Sequence, residues 1–115
     1  MENAQALALF DEILVRTKEG RIPWEPLGSD TLIAAIKGKR SLLLIPYTTT
    51  DSWGNERGGP SLTVKDVSDH ELLRVTSEIE GVKLEALQEL YEAARRQAFK
   101  VDEQVQDLLS DLRSL

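Results

Sequence analysis

A chain of 115 residues is long enough for one domain and too short for two ordinary ones, so we predict a single domain over residues 1–115. Its 41% hydrophobic and 30% charged residues are typical of a folded domain, and its net charge of −6 argues against a non-specific nucleic-acid binder, which needs a basic surface. With no cysteine, the chain cannot form disulfides, thiolate nucleophiles or cysteine-based metal sites.

Residues 3–19 predict an N-terminal helix. Leu7, Phe10 and Leu14 recur at spacings of three and four, which places them on one stripe of an α-helix. Gly20 supplies the left-handed residue that commonly ends a helix, and a proline three residues later prevents continuation.

The N-terminal stretch does not have the features of a signal peptide. It has no basic segment, and Asp11 and Glu12 interrupt its apolar run. No run of about 18 apolar residues occurs, so we expect neither a membrane span nor a membrane partner. With no other address in the sequence, the cytoplasm is the expected location.

Segments in the middle of the chain predict an antiparallel meander of about four strands. Gly38, between the first two, can adopt the positive φ that a tight hairpin needs. The third alternates, with Leu62 and Val64 on one face and polar residues on the other. A segment before them, 22–27, holds two prolines and can form at most an edge strand. The predicted strands are residues 31–36, 41–47, 61–67 and 70–78.

The second predicted strand is apolar on both faces. The run Leu-Leu-Leu-Ile at 42–45 would alternate with polar residues if only one face were buried. The sequence favours an outer face that is covered by a loop side chain such as Trp24 or Trp53. The alternative is that this face meets another chain.

The loop between the second and third strands, TTTDSWGNERGGPS at 48–61, contains more than a turn requires. Its Asp, Asn, Gly and Pro residues are turn formers. A turn does not require Trp53 or Arg57, and Trp and Arg are common anchors of interfaces. The sequence favours a tucked hairpin tip, with Trp53 over the sheet; the alternative displays Trp53 to a partner or ligand. Trp53 and Arg57 are thus the candidate ligand residues.

Residues 82–115 contain no Gly or Pro and predict a long C-terminal helix. Apolar or small residues recur at alternating spacings of three and four, a heptad seam typical of a helix packed along another helix. The alternative is a break near Lys100–Asp102, since Asp102 could cap a second helix. The seam consists of Leu84, Leu87, Tyr91, Ala94, Ala98, Val101, Val105, Leu108, Leu112 and Leu115.

The length of that helix predicts an interface. A helix over 83–113 would be about 46 Å long at about 1.5 Å per residue, whereas a sheet of four strands is only about 20–25 Å across. The distal half of the seam would stand in water, unless a break near Asp102 folds the last turns back, and an exposed apolar stripe usually marks a contact. We therefore predict a homodimer or another protein partner, through Tyr91, Ala94, Ala98, Val101, Val105, Leu108 and Leu112.

Trp24 follows the first helix, and the last helix carries a Leu-Tyr pair at 90–91 and an Ala-Arg-Arg run at 94–96. With the order of elements, these motifs resemble a family of small uncharacterised bacterial proteins. The resemblance covers nearly the whole chain and implies a layout of helix, β-meander and helix. The family has no established activity, so the resemblance implies no functional residue. The loop at 49–60 is longer and richer in glycine than the family's.

The sequence offers no motif for catalysis, a cofactor or a metal. The only histidine, His70, is more typical of a turn edge than of a general base, and one histidine without cysteine cannot build a common transition-metal site. Arg95 and Arg96 could clamp a phosphate, but arginines on a helix more often pair with carboxylates such as Glu89 or Glu92. We therefore predict no catalytic, cofactor-binding or metal-binding residue.

Two functions follow from these features. The first is a non-catalytic protein-interaction or oligomerisation module that acts through the long C-terminal helix. The second is a small-molecule or peptide binder, or an enzyme, with a site near residues 48–60. A pocket with convergent polar groups at that loop would favour the second, and a flat apolar contact along the helix would favour the first. We predict the first, and no enzyme activity.

Overall fold

The structure, a computed structural model, describes residues 3–115 and has the predicted α+β class. Residues 1 and 2 of the predicted domain lie outside the described part. The helices are α1 (Asn3–Lys18), α2 (Leu84–Ala98) and α3 (Val101–Arg113). The strands are β1 (Glu25–Leu27), β2 (Thr31–Ile36), β3 (Arg40–Ile45), β4 (Thr49–Thr50), β5 (Glu56–Arg57), β6 (Ser61–Asp66) and β7 (Glu71–Val75).

The main sheet is the predicted antiparallel meander. Its strand order is β1-β2-β3-β6-β7, and each strand pairs with its neighbour in antiparallel register. The segment with two prolines forms the edge strand β1, so the sheet has five strands rather than four. The loop between β3 and β6 forms its own two-stranded ribbon from β4 and β5.

The core lies between one face of the sheet and the helices α1 and α2. Leu32, Leu44 and Leu62 are opposite one another on β2, β3 and β6, and all three are fully buried. From α1, Phe10 and Ile13 pack into this core, while Leu7 and Leu14 lie at its margin. The covering helices thus decide which face of each strand is the apolar interior.

Trp24 belongs to this core and does not cover the outer face of the sheet. Its indole N–H donates to the Thr17 hydroxyl over 2.9 Å, and both side chains are buried. Trp53 does not cover that face either, since 87% of its surface is exposed. The interpretation that a tryptophan covers the second apolar face is therefore wrong. That face carries half-buried Ile33 and Leu43, and its contact with another chain stays a hypothesis.

The long C-terminal helix is two helices, so the predicted alternative of a break near Lys100–Asp102 is confirmed. Lys100 adopts the left-handed conformation, with φ of 52° and ψ of 45°, and this conformation redirects the chain between α2 and α3. Asp102 is not the cap. It lies in the first turn of α3, where its carboxylate accepts a hydrogen bond from Arg96 across the bend.

Two hairpin turns are built in the same way around an aspartate. The Asp51 carboxylate accepts the backbone N–H groups of Trp53 and Asn55, and the Asp66 carboxylate accepts those of Ser68 and His70, each over 2.9 Å. Hydrogen bonds from these backbone N–H groups lower the pKa of both aspartates below its ordinary value, and the largest effect comes from the N–H of the residue four positions later, Asn55 or His70.

The aspartate turns predict a loss of stability in acid. Because the folded pKa of Asp51 and Asp66 is lowered, their contribution is present above the unfolded pKa of about 3.9 and is lost as pH falls through the folded value. We expect Asp51→Asn with Asp66→Asn, which keeps an acceptor oxygen in each turn, to flatten this dependence. Urea midpoints at pH 7, 4 and 3 measure it, and parallel curves for both proteins would contradict the assignment.

Candidate interaction surface

The bend at Lys100 divides the heptad seam into two halves with different environments. In the α2 half, Leu87 and Ala94 are fully buried and Ala98 is nearly so. Tyr91 is half-buried, and its hydroxyl donates to the carbonyl of Asp30 in the loop before β2. These contacts show that the α2 half of the seam packs within the subunit, as the apolar side of a helix on a domain core does. The predicted interface therefore does not include Tyr91, Ala94 or Ala98.

The α3 half of the seam faces solvent. Val105, Leu108 and Leu112 expose 47%, 57% and 54% of their surface, and Val101, next to the bend, is half-buried. No residue of α3 is buried, so the predicted alternative of a helix folded back on its own subunit is wrong. At about 100° per residue these side chains share one stripe, joined by Leu109. We name the set Val101, Val105, Leu108, Leu109 and Leu112 the α3 stripe.

Charged residues lie on both sides of the α3 stripe. Helical spacing places Asp111 along one side, and Asp102 and Arg113 along the other, while Asp107 lies toward the opposite face of the helix. The helix carries four carboxylates and one arginine in all. Within residues 3–115, neither Asp107 nor Asp111 has an ion-pair partner. The stripe is therefore an apolar surface with unneutralised negative charge beside it.

The adjacent arginines of α2 have different partners. Arg96 turns to Asp102, and Arg95 lies 3.9 Å from Glu92, with its guanidinium 5.9 Å from the centre of the Phe99 ring. The predicted pairing with a helix carboxylate is thus confirmed for Arg95, whereas Arg96 bonds across the bend.

A second surface feature, which the sequence analysis missed, is a groove between α1 and the ends of β2, β3 and β6. It has a volume of about 450 Å³. Its floor is aliphatic: Leu9, Ile13, Ile22, Ile36, Leu42 and Val64. Its rim carries four basic side chains and one carboxylate: Arg16, Arg21, Lys37, Arg40 and Glu12. We name it the basic groove.

The rim of the basic groove is only partly neutralised. Arg16 pairs with Glu12 and Glu19, at 3.4 and 2.8 Å. In the part of the chain that the structure describes, Lys37 and Arg40 have no carboxylate partner; Arg40 donates to a backbone carbonyl instead. Two short basic clusters, at 16–21 and 37–40, are the sequence signal of this rim in an otherwise acidic chain.

The ribbon of β4 and β5 displays Trp53 at its tip, so the interpretation of a tucked hairpin is wrong. The Asp51 carboxylate holds the turn and accepts from Arg57 Nε over 3.1 Å, which leaves the indole in solvent. Neither Trp53 nor Arg57 lines the basic groove.

His70 lies in the second aspartate turn and is largely exposed. Its Nδ1 lies 3.3 Å from the carboxylate of Asp66, which also accepts the backbone N–H of His70. Among residues 3–115, no group of three or more histidine, cysteine, aspartate or glutamate side chains is arranged to hold a metal ion. The observed contacts of His70 are those of a turn.

Replacing His70 with alanine is expected to change the free energy of unfolding by less than about 0.5 kcal/mol, as for ordinary surface residues. The variant keeps the backbone N–H that Asp66 accepts. Asp66→Ala is the comparison, because it removes the acceptor itself and should cost clearly more. Urea denaturation measures both, and a His70→Ala loss as large as that of Asp66→Ala would contradict a purely local role.

Comparisons with known proteins give no relative: no protein-family model, curated protein or solved structure matches this chain. The resemblance to a family of small bacterial proteins therefore stays a prediction. Within residues 3–115, the helices are too short and too polar for any of them to cross a membrane.

Proposed function

We propose that the protein is a non-catalytic interaction module that forms a homodimer through α3. The observation that supports this most is the α3 stripe, in which five apolar side chains lie on one side of a helix that buries no residue in its own subunit. Contiguous apolar surface on a soluble domain usually marks a contact. A twofold dimer is the commonest closed arrangement that would cover it.

The length of α3 is a second support. A helix of 13 residues is only marginally stable in water without tertiary contacts, because nucleation costs more than so few hydrogen bonds return. Here the bend at Lys100 separates α3 from the helix that packs on the sheet. A partner that covers the stripe would stabilise α3 by packing against it. The short length of α3 and its exposed stripe therefore both favour contact with a second chain.

Light scattering over a range of concentrations tests this function. The subunit mass is 12.9 kDa, so we expect about 26 kDa, twice that value, at high concentration and a fall toward 12.9 kDa on dilution. A mass of 12.9 kDa at all concentrations would overturn the proposal of a homodimer.

A further inference from the structure

We propose that the α3 stripe of one copy docks in the basic groove of a second copy, and that the two copies exchange their α3 helices reciprocally. This inference rests on the proposed homodimer and names the surface that receives the helix. It connects two surface features that the fold of one subunit leaves without a partner.

The two surfaces match in their apolar parts. The basic groove is open to solvent, lies between a helix and the ends of three strands, and has an aliphatic floor. Such a groove is the usual receptor for an amphipathic helix, which inserts side chains spaced three and four residues apart. Val105, Leu108 and Leu112 have that spacing and are exposed.

The two surfaces also match in charge. The rim has four basic side chains in a chain whose net charge is −6, and Lys37 and Arg40 have no carboxylate partner within residues 3–115. Asp111 borders the α3 stripe, and its carboxylate is also unpaired within that range; α3 as a whole carries four carboxylates and one arginine. Docking would bring these groups together, and opposite potentials across an interface fix its register and exclude wrong partners.

Charge also disfavours the simplest alternative, in which two α3 helices pack on each other. Each helix carries four carboxylates and one arginine, so direct pairing would set two negatively charged surfaces side by side. In the basic groove the same carboxylates meet cations. The groove is therefore the better receptor for α3 on the molecule's own surface.

Reciprocal exchange gives the contact a sufficient size. A helix of 13 residues is only about 20 Å long, and one such helix in one groove is small beside the roughly 800 Å² per partner of a stable interface. A twofold axis makes the contact twice, because each copy offers both a helix and a groove.

Two charge-reversed variants test the exchange. The groove variant is Lys37→Glu with Arg40→Glu, and the helix variant is Asp111→Lys with Gln104→Lys, two positions on the same flank of the α3 stripe. Each variant alone places like charges at both contacts of its dimer, so we expect the dissociation constant to rise at least about tenfold at low ionic strength. In a 1:1 mixture, the heterodimer joins native helix to native groove at one contact and reversed helix to reversed groove at the other.

The 1:1 mixture is the decisive sample, and light scattering measures its mass. We expect it to form dimers at concentrations where each variant alone is monomeric. Circular dichroism melts control for folding of each variant. If groove variants dimerise as the unmutated protein does, or if the mixture stays monomeric, the groove is not the receptor, while a dimeric unmutated protein still supports the proposed function. A monomeric unmutated protein would overturn both.

Discussion

Replacing Val105 and Leu108 with glutamate is expected to halve the molar mass of the protein in solution while its subunit stays folded. Both side chains belong to the α3 stripe and neither is buried in the subunit. Full burial of a Val or Leu side chain stabilises by about 1.5–3 kcal/mol, and these two expose 47% and 57% of their surface in the subunit. A twofold dimer that loses four such half-burials loses about 3–6 kcal/mol, which raises the dissociation constant at least about 100-fold.

The control for this double variant carries the same added charge on the opposite side of α3. Gln106→Glu with Ser110→Glu lies about 120–180° from the stripe, at about 100° per residue. We expect it to remain a dimer. Glutamate has at least the helix propensity of valine, so neither variant should lose α3 for intrinsic reasons. Equal dissociation of both variants would mean that added charge, not lost contact, separates the chains.

Replacing Leu44 with alanine is expected to cost about 2–5 kcal/mol of unfolding free energy, the usual range for a buried leucine. Leu44 is fully buried at the centre of the sheet, between Leu32 on β2 and Leu62 on β6. The free energy of unfolding of a domain is typically only about 5–15 kcal/mol, so this change should bring the subunit close to unfolding at 37 °C. Chemical denaturation followed by circular dichroism measures the loss.

Leu43→Ala is the matched control, because Leu43 is the preceding residue of β3 and points to the other face. Leu43 is half-buried, and its truncation should cost only about 1 kcal/mol, the typical value for a point mutation. A cost as large as that of Leu44→Ala would support the hypothesis that this face of the sheet meets another chain.

The fold was largely predictable because its signals are local. Gly20 and Gly38 mark the end of α1 and the β2–β3 turn, and both adopt positive φ. The alternation of Leu62 and Val64 with polar residues identifies the face that α1 and α2 cover. In each case a backbone requirement or a period of two or three to four residues determines the element.

The sequence offered the bend near Lys100 only as the alternative to one continuous helix. The heptad seam continues across the bend without a break, and the left-handed residue is Lys100, not the glycine or asparagine that usually takes this conformation. Pairing of Arg96 with Asp102 across the bend is visible only in three dimensions. The local pattern therefore predicted one helix where tertiary contacts favour two.

The candidate site was predictable only in part, because a groove has no linear pattern. The distal seam residues, Val105 to Leu112, are exposed as their distance from the sheet required. The basic groove combines α1, the β2–β3 turn and three strand ends, and only packing brings these together. The sequence favoured Trp53 over the sheet, whereas the turn held by the Asp51 carboxylate leaves the indole in solvent.

Amide hydrogen exchange of residues 105–113 at two protein concentrations tests most directly whether α3 is stabilised by a second chain. Its 13 residues are too few to protect a helix that has no tertiary contacts. We predict clear protection of these amides where the protein is dimeric and its loss on dilution to monomer, while the amides of β3 and β6 stay protected at both concentrations. Exchange in α3 that does not change with concentration would contradict the proposed role of this helix.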